Sequence, residues 1–119
     1  TTPERLGELV KAFPSINFIG AHMGGLLAPF REIRTHLKPA GNLFLDTSNG
    51  AHVLGEHQYI ELVTQHGPAH IIFGTDWPWF THNEEIRLQQ SLFDKAGFSK
   101  EEKARIFAEN IVQMLKIAW

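Results

Sequence analysis

Residues 70–79 read HIIFGTDWPW, and the fold turns on how they are read. Ile71, Ile72 and Phe73 form a short apolar run, Gly74 and Thr75 lead to Asp76, and Pro78 cannot extend a hydrogen-bonded ladder. Such a run with a hard stop predicts a strand buried on both faces, as in a parallel sheet. Strand alternation then puts Ile72, Gly74 and Asp76 on one face, and Ile71, Phe73 and Thr75 on the other. A carboxylate at the carboxyl end of a parallel strand lies where α/β folds place ligands and chemistry. The competing reading is that Asp76 only caps the turn before Trp77-Pro78.

Outward from this stretch, two more apolar runs end in polar groups. Residues 16–22 run from Ile16 to His22 and are followed by Met23-Gly24-Gly25; residues 42–48 run from Asn42 to Asp46, Thr47 and Ser48. Helices are expected between them. Thr2-Pro3 opens one that carries Leu6, Leu9, Val10 and Phe13 on a single face until Pro14. A second is expected from Leu26 to about Leu37 and a third from about Leu54 to Gln65. Thr81 or Asn83 can cap a fourth, and Ser99 with Glu102 makes a capping box for a last one bearing Ile106, Phe107, Ile111, Met114 and Leu115. Strands alternating with helices predict a parallel sheet with right-handed crossovers. Three strand ends carrying His22, Asp46 to Ser48, and Asp76 suggest one shared site. Gly20 and Gly74, two residues before His22 and Asp76, are expected to leave space beneath both.

Composition narrows the function. At 119 residues the chain suits one domain or part of one, large enough to bury roughly two thirds of its unfolded surface. A net charge of −2 without a basic block argues against nucleic acid and anionic membrane as partners. The absence of cysteine excludes a disulfide scaffold and thiolate zinc sites. No apolar run approaches a membrane span and no signal peptide is visible, so a reducing, cytoplasmic setting is expected. Opening on a helix start without an initiator Met, the chain reads as entered part-way through a larger protein.

The segments AHMGG, LFLDTS, HIIFGTDWPW and KARIFAENIVQML together resemble the last three strands and closing helix of the amidohydrolase-2 branch of the metal-dependent hydrolases, which are TIM barrels. The resemblance covers nearly the whole chain, and FGTDWP is its most specific element. It implies an α/β fold in which residues 1–119 are the C-terminal three βα units of a (β/α)8 barrel plus a terminal helix. It further implies that Asp76 binds a divalent metal, zinc for preference, and can take a proton from a metal-bound water. His22 would polarise the substrate or move a proton. A carboxylate beside a divalent cation stays ionised, and a neutral imidazole facing the same cavity can donate to charge developing on a carbonyl oxygen.

One departure from the family pattern weighs as much as the match. The family's two further ligands come as a His-x-His pair after the first strand, and none of the seven histidines here stands two residues from another. Three strands also cannot close an eight-stranded barrel. The expectation is therefore a C-terminal portion of a hydrolase acting on C–N or C–O bonds of a small molecule, or of a decarboxylase on the same scaffold. Alone, the chain need not hold a metal and is expected to be inactive. It should self-associate or pair with the missing barrel half, burying a face formed by Phe18, Phe44 and Ile72. A catalytically silent module working by association is the alternative. A phosphate-binding half-barrel using Gly24-Gly25 or Asn49-Gly50 is weaker, since Asp76 would repel the anion. His82, in the loop after Asp76, and Trp77 and Trp79 are candidate substrate contacts; packing against the next helix competes with that for the tryptophans. His36, His52, His57, His66 and His70 are expected at surface or capping positions, and Asn110 as a hydrogen-bonding anchor without chemistry.

Overall fold

The computed structural model describes residues 1–117. Helix α1 (Pro3–Ala12) starts where its punctuation requires: the Thr2 hydroxyl accepts from Arg5 N–H at 3.3 Å and Pro3 occupies the first turn. Strand β1 (Phe18–Gly20) follows, then a single 3-10 turn at His22–Gly24 and helix α2 (Phe30–His36). Strand β2 (Leu43–Asp46) leads into two short helices, α3 (Gly50–Leu54) and α4 (Glu56–His66). Strand β3 (Ile71–Ile72) precedes α5 (His82–Lys95). The chain ends in α6 (Lys100–Ala104), a π-helical segment at Arg105–Glu109, and α7 (Asn110–Leu115).

The three strands are parallel in the order β1-β2-β3, with Phe18 opposite Leu43, Ile19 opposite Phe44, Gly20 opposite Leu45, Leu45 opposite Ile71 and Asp46 opposite Ile72. Partners across a parallel ladder share a face. Phe18, Gly20, Leu43, Leu45 and Ile71 therefore look towards the helices, where Leu43, Leu45 and Ile71 are buried with Leu6, Val10, Ile33, Leu37, Tyr59, Leu62 and Val63. Ile19, Phe44, Asp46 and Ile72 line the other face. This corrects the expected open face in one member: Phe44 and Ile72 belong to it, but Phe18 does not. Ile19 takes its place and is 45% exposed. The core on the helix side is enough to keep the chain compact, with a radius of gyration of 13.4 Å, against about 13.5 Å for an average domain of this length.

Side chains and a helix irregularity protect the sheet. Asn42 Nδ2 donates to the Val10, Phe13 and Ile16 carbonyls at 3.0, 3.2 and 3.1 Å, tying the end of α1 to the start of β2. Asn110 Nδ2 donates to the Pro68 and Ile71 carbonyls at 2.7 and 2.8 Å, the anchoring role expected of it. A π segment shifts the helical bonding pattern, and within this one the Ile106 carbonyl accepts from Phe73 N–H at 3.1 Å, covering the outer edge of β3.

Three boundaries differ from expectation. Helix α2 begins at Phe30 rather than Leu26, because Leu27 is in the left-handed region (φ +62°) and Pro29 disfavours a helical residue before it. The expected third helix begins earlier and is broken at Gly55, which sits at φ +79°. Strand β3 is only two residues long, so Asp76 lies in the loop beyond it rather than at its end.

Candidate active site

At the end of β1 the chain turns sharply. His22 and Met23 both adopt left-handed conformations, with φ of +54° and +56°. Gly24 follows at φ +99°, where an added Cβ would collide with Leu37 Cδ1. The turn plugs Met23 into the core against Gly50 and lifts His22 onto the end of β2. There His22 Nδ1 lies 2.9 Å from the Ser48 carbonyl oxygen and 3.2 Å from Ser48 Oγ. A carbonyl can only accept, so Nδ1 carries the hydrogen, and the neutral ring keeps its lone pair on Nε2. This alters the role read from sequence: the neutral ring offers an acceptor or ligand at Nε2, and donates there only as imidazolium. Gly20 does not make room for His22, since an added Cβ would meet Leu6, Gly24 and Leu45 on the helix side.

The loop bearing Asp76 is held by Thr47, which is fully buried. Its hydroxyl donates to the Gly74 carbonyl and accepts from Gly74 N–H, both at 3.0 Å, where β3 has stopped pairing through its backbone. Beyond Gly74, Asp76 is half-buried and sits at φ +58°. Non-glycine residues are uncommon in this region, and such strain gathers at functional sites. Both candidate catalytic residues share the feature, as do Met23, Leu27, Asn49 and Lys116, and nothing in the sequence announces it. Trp77 and Trp79 follow with 65% and 79% of their surface exposed. His82 Nδ1 is 3.0 Å from Thr75 Oγ1, and its ring centroid is 5.5 Å from that of Trp77. Trp77 and His82 thus form a group flanking Asp76 in sequence and joined in space.

The end of β2, read from sequence as part of a shared site, contributes contacts that the sequence did not specify. Asp46 Oδ1 accepts from Ser48 N–H at 2.6 Å, and Gly74 lies so close that an added Cβ would be 3.0 Å from that oxygen. Behind the strands, Tyr59 donates to Gln89 Oε1, and burial together with Glu85 and Asp46 pushes the phenol well above its ordinary range. His52, expected at the surface, is bonded through Nε2 to the buried Glu85 carboxylate at 2.6 Å and stacks on Phe80 with centroids 4.0 Å apart. His52 nonetheless remains exposed, as expected, whereas His66 is buried, with Nε2–H donating to the Leu43 carbonyl at 3.1 Å.

For a divalent metal, the residues present suit part of a ligand set. An imidazole that ligates through one nitrogen normally donates from the other to a carbonyl or carboxylate, as His22 does to Ser48. Among the described residues, however, no three His, Cys, Asp or Glu side chains are grouped to hold an ion.

Comparison with known proteins gives the family. The sequence model described as amidohydrolase matches residues 1–117. The chain belongs to the amidohydrolase family. No curated protein matches this amidohydrolase chain, but solved structures do. A TIM-barrel protein from Bordetella bronchiseptica superposes with a TM-score of 0.76 at 19% identity, over 96% of this chain and 39% of that one. An amidohydrolase from Burkholderia multivorans with bound zinc gives 0.70 at 14% identity, over 97% and 50%. A dihydroxybenzoic acid decarboxylase from a Polaromonas species, with bound manganese and the inhibitor 2-nitroresorcinol, gives 0.65 at 20% identity, over 97% and 39%. The fold is thus part of a TIM barrel: a three-stranded parallel sheet and its helices, spanning half or less of these neighbours. No helix among the described residues is long and apolar enough to cross a membrane.

Proposed function

We propose that this amidohydrolase chain forms the C-terminal part of a metal-dependent hydrolase that cleaves a C–N or C–O bond of a small molecule. Decarboxylation on the same scaffold is the second chemistry, favoured by the manganese-bound decarboxylase among the structural neighbours. The carrying observation is that His22 and Asp76, the family-matched residues after β1 and β3, both stand at left-handed φ in loops beyond parallel strands. Asp76 and His22 Nε2 would hold or face a divalent ion, zinc for preference, because mixed carboxylate and imidazole donors suit it. When bound, such an ion supplies Lewis acidity and lowers the pKa of a coordinated water.

The chain's own residues do the rest. Asp76 accepts the proton of the attacking water. With its Nδ1–H held by Ser48, His22 receives or returns a proton at Nε2. Trp77, Trp79 and His82 wall the substrate on the side of the β3 loop. With no three ligands grouped among the described residues, the chain alone is catalytically silent and completes its site by association with the remainder of a barrel. The test is metal content and turnover of the complete protein on amide, lactone and hydroxybenzoate substrates. Asp76→Ala should lose the metal and lower turnover by about 100-fold or more, since a charged ligand and proton acceptor go together. Unchanged metal stoichiometry and turnover in that variant would overturn the assignment.

A further inference from the structure

We propose that Asp46 is a positioning residue that, acting through Ser48, fixes the tautomer of His22. The proposal deepens the reading of His22 as a site residue and rests on it for its functional meaning, but its test does not depend on turnover.

Asp46 is the last residue of β2 and shares a face with Ile72, away from the helices. Its side chain curls back on its own backbone: Oδ1 accepts from Ser48 N–H at 2.6 Å, closing a turn two residues on. That turn anchors the Thr47–Ser48 peptide, and the Ser48 carbonyl follows it by one residue's φ and ψ. Ser48 is buried, and its carbonyl meets His22 Nδ1 at 2.9 Å. A free neutral imidazole favours hydrogen on Nε2. Here the carbonyl, which can only accept, demands the hydrogen on Nδ1 and leaves Nε2 without one.

Gly74 explains how Asp46 can occupy this place. A Cβ there would lie 3.0 and 3.1 Å from the two carboxylate oxygens and 3.2 Å from Cγ. The missing side chain in the FGTD stretch thus accommodates the Asp46 carboxylate. Gly74 is itself pinned through both backbone groups by Thr47. The series Gly74, Asp46, Ser48, His22 links all three strand ends: two hydrogen bonds join Asp46 to Ser48 and Ser48 to His22, and Gly74 leaves the room the carboxylate fills. Among the described residues Asp46 makes no hydrogen bond to Trp77, Trp79 or His82; its influence passes through the Ser48 backbone.

The experiment is nuclear magnetic resonance of the 119-residue chain with 15N-labelled histidine, recorded at about pH 8, above the ordinary imidazole range. Ring correlations report the tautomer of each histidine, and His22→Asn identifies the His22 signal. The native chain should show His22 protonated at Nδ1. Asp46→Ala should lower the Nδ1–H to Nε2–H ratio about five-fold, the shift expected when a hydrogen bond of ordinary net strength is lost. Asp46→Asn should keep the native ratio, because an amide oxygen still accepts from Ser48 N–H. Ser48→Ala should also keep it, since the carbonyl remains. Gly74→Ala should act as Asp46→Ala does, by displacing the carboxylate. A native His22 protonated at Nε2 overturns the proposal even if Asp46→Ala does not fold. So does an Nδ1–H ratio unmoved in both Asp46→Ala and Gly74→Ala. If the tautomer responds as described while His22→Asn leaves turnover of the complete protein intact, the positioning stands and the hydrolase role of His22 fails.

Discussion

Replacing Thr47 by Val tests whether one hydroxyl holds the loop that bears Asp76 in place. The two side chains are nearly isosteric, and Thr47 is fully buried, so a packing role alone would leave Val neutral or slightly better. The structure instead gives the hydroxyl two bonds of 3.0 Å, one to each backbone group of Gly74. Each is worth about 0.5–1.5 kcal/mol net, and more where its backbone partner is left without water. Because Gly74 is half-buried, water recovers part of that loss, which places the total near 2–3 kcal/mol. With a urea m-value of about 1.5–2 kcal/mol/M, the unfolding midpoint should fall by roughly 1–2 M. Thr47→Ser keeps the hydroxyl and loses only a methyl group, so it should cost about 1 kcal/mol. The assay is urea unfolding followed by circular dichroism, with hydrogen exchange at Gly74 as the local readout. A Val variant as stable as the parent chain, or more stable than the Ser variant, would refute the reasoning.

Two further outcomes follow from the same packing. Burial holds the His66 imidazole below its ordinary value of 6.5, because a second proton on Nδ1 would find no partner. The unfolded chain then binds the proton first, so this contribution is intact above about pH 6.5 and is lost as pH falls towards the depressed native value. Urea unfolding across pH 5–7 should show that slope in the parent chain and a shallower one in His66→Gln; equal slopes would refute it. Gly24→Ala combines left-handed strain with a collision at Leu37 and should cost about 2–4 kcal/mol, lowering Tm by roughly 10–15 °C. A Tm change of less than about 3 °C would show that the turn relaxes freely.

Much was legible in the sequence where the determinant is local. The caps at Thr2, Thr81 and Ser99 formed as read, because a cap needs only a few neighbouring residues. The three parallel strands followed from apolar runs separated by helices, and the FGTDWP and AHMGG segments pointed to the family that residues 1–117 match. Alternation also placed Ile72 and Gly74 correctly on the face of Asp46, since the chain stays extended between them.

Tertiary structure decided the rest. Counting back by twos from His22 put Phe18 on the wrong face, because His22 and Met23 leave the extended region and alternation holds only along a continuous strand. Pro29 was available to mark the start of α2, but the left-handed Leu27 before it was not. The partners of His66 and His52 were not legible, and so neither was the burial of His66, because a lone histidine carries no sign of the carbonyl or carboxylate it will meet; Leu43 and Glu85 lie 23 and 33 residues away. The link from Gly74 through Asp46 and Ser48 to His22 was hidden for the same reason. Residue types and periodicity specify which elements form and which side faces the core. Which nitrogen of His22 carries its hydrogen depends on the direction of one peptide 26 residues further along the chain, and only the packed strand ends set that direction.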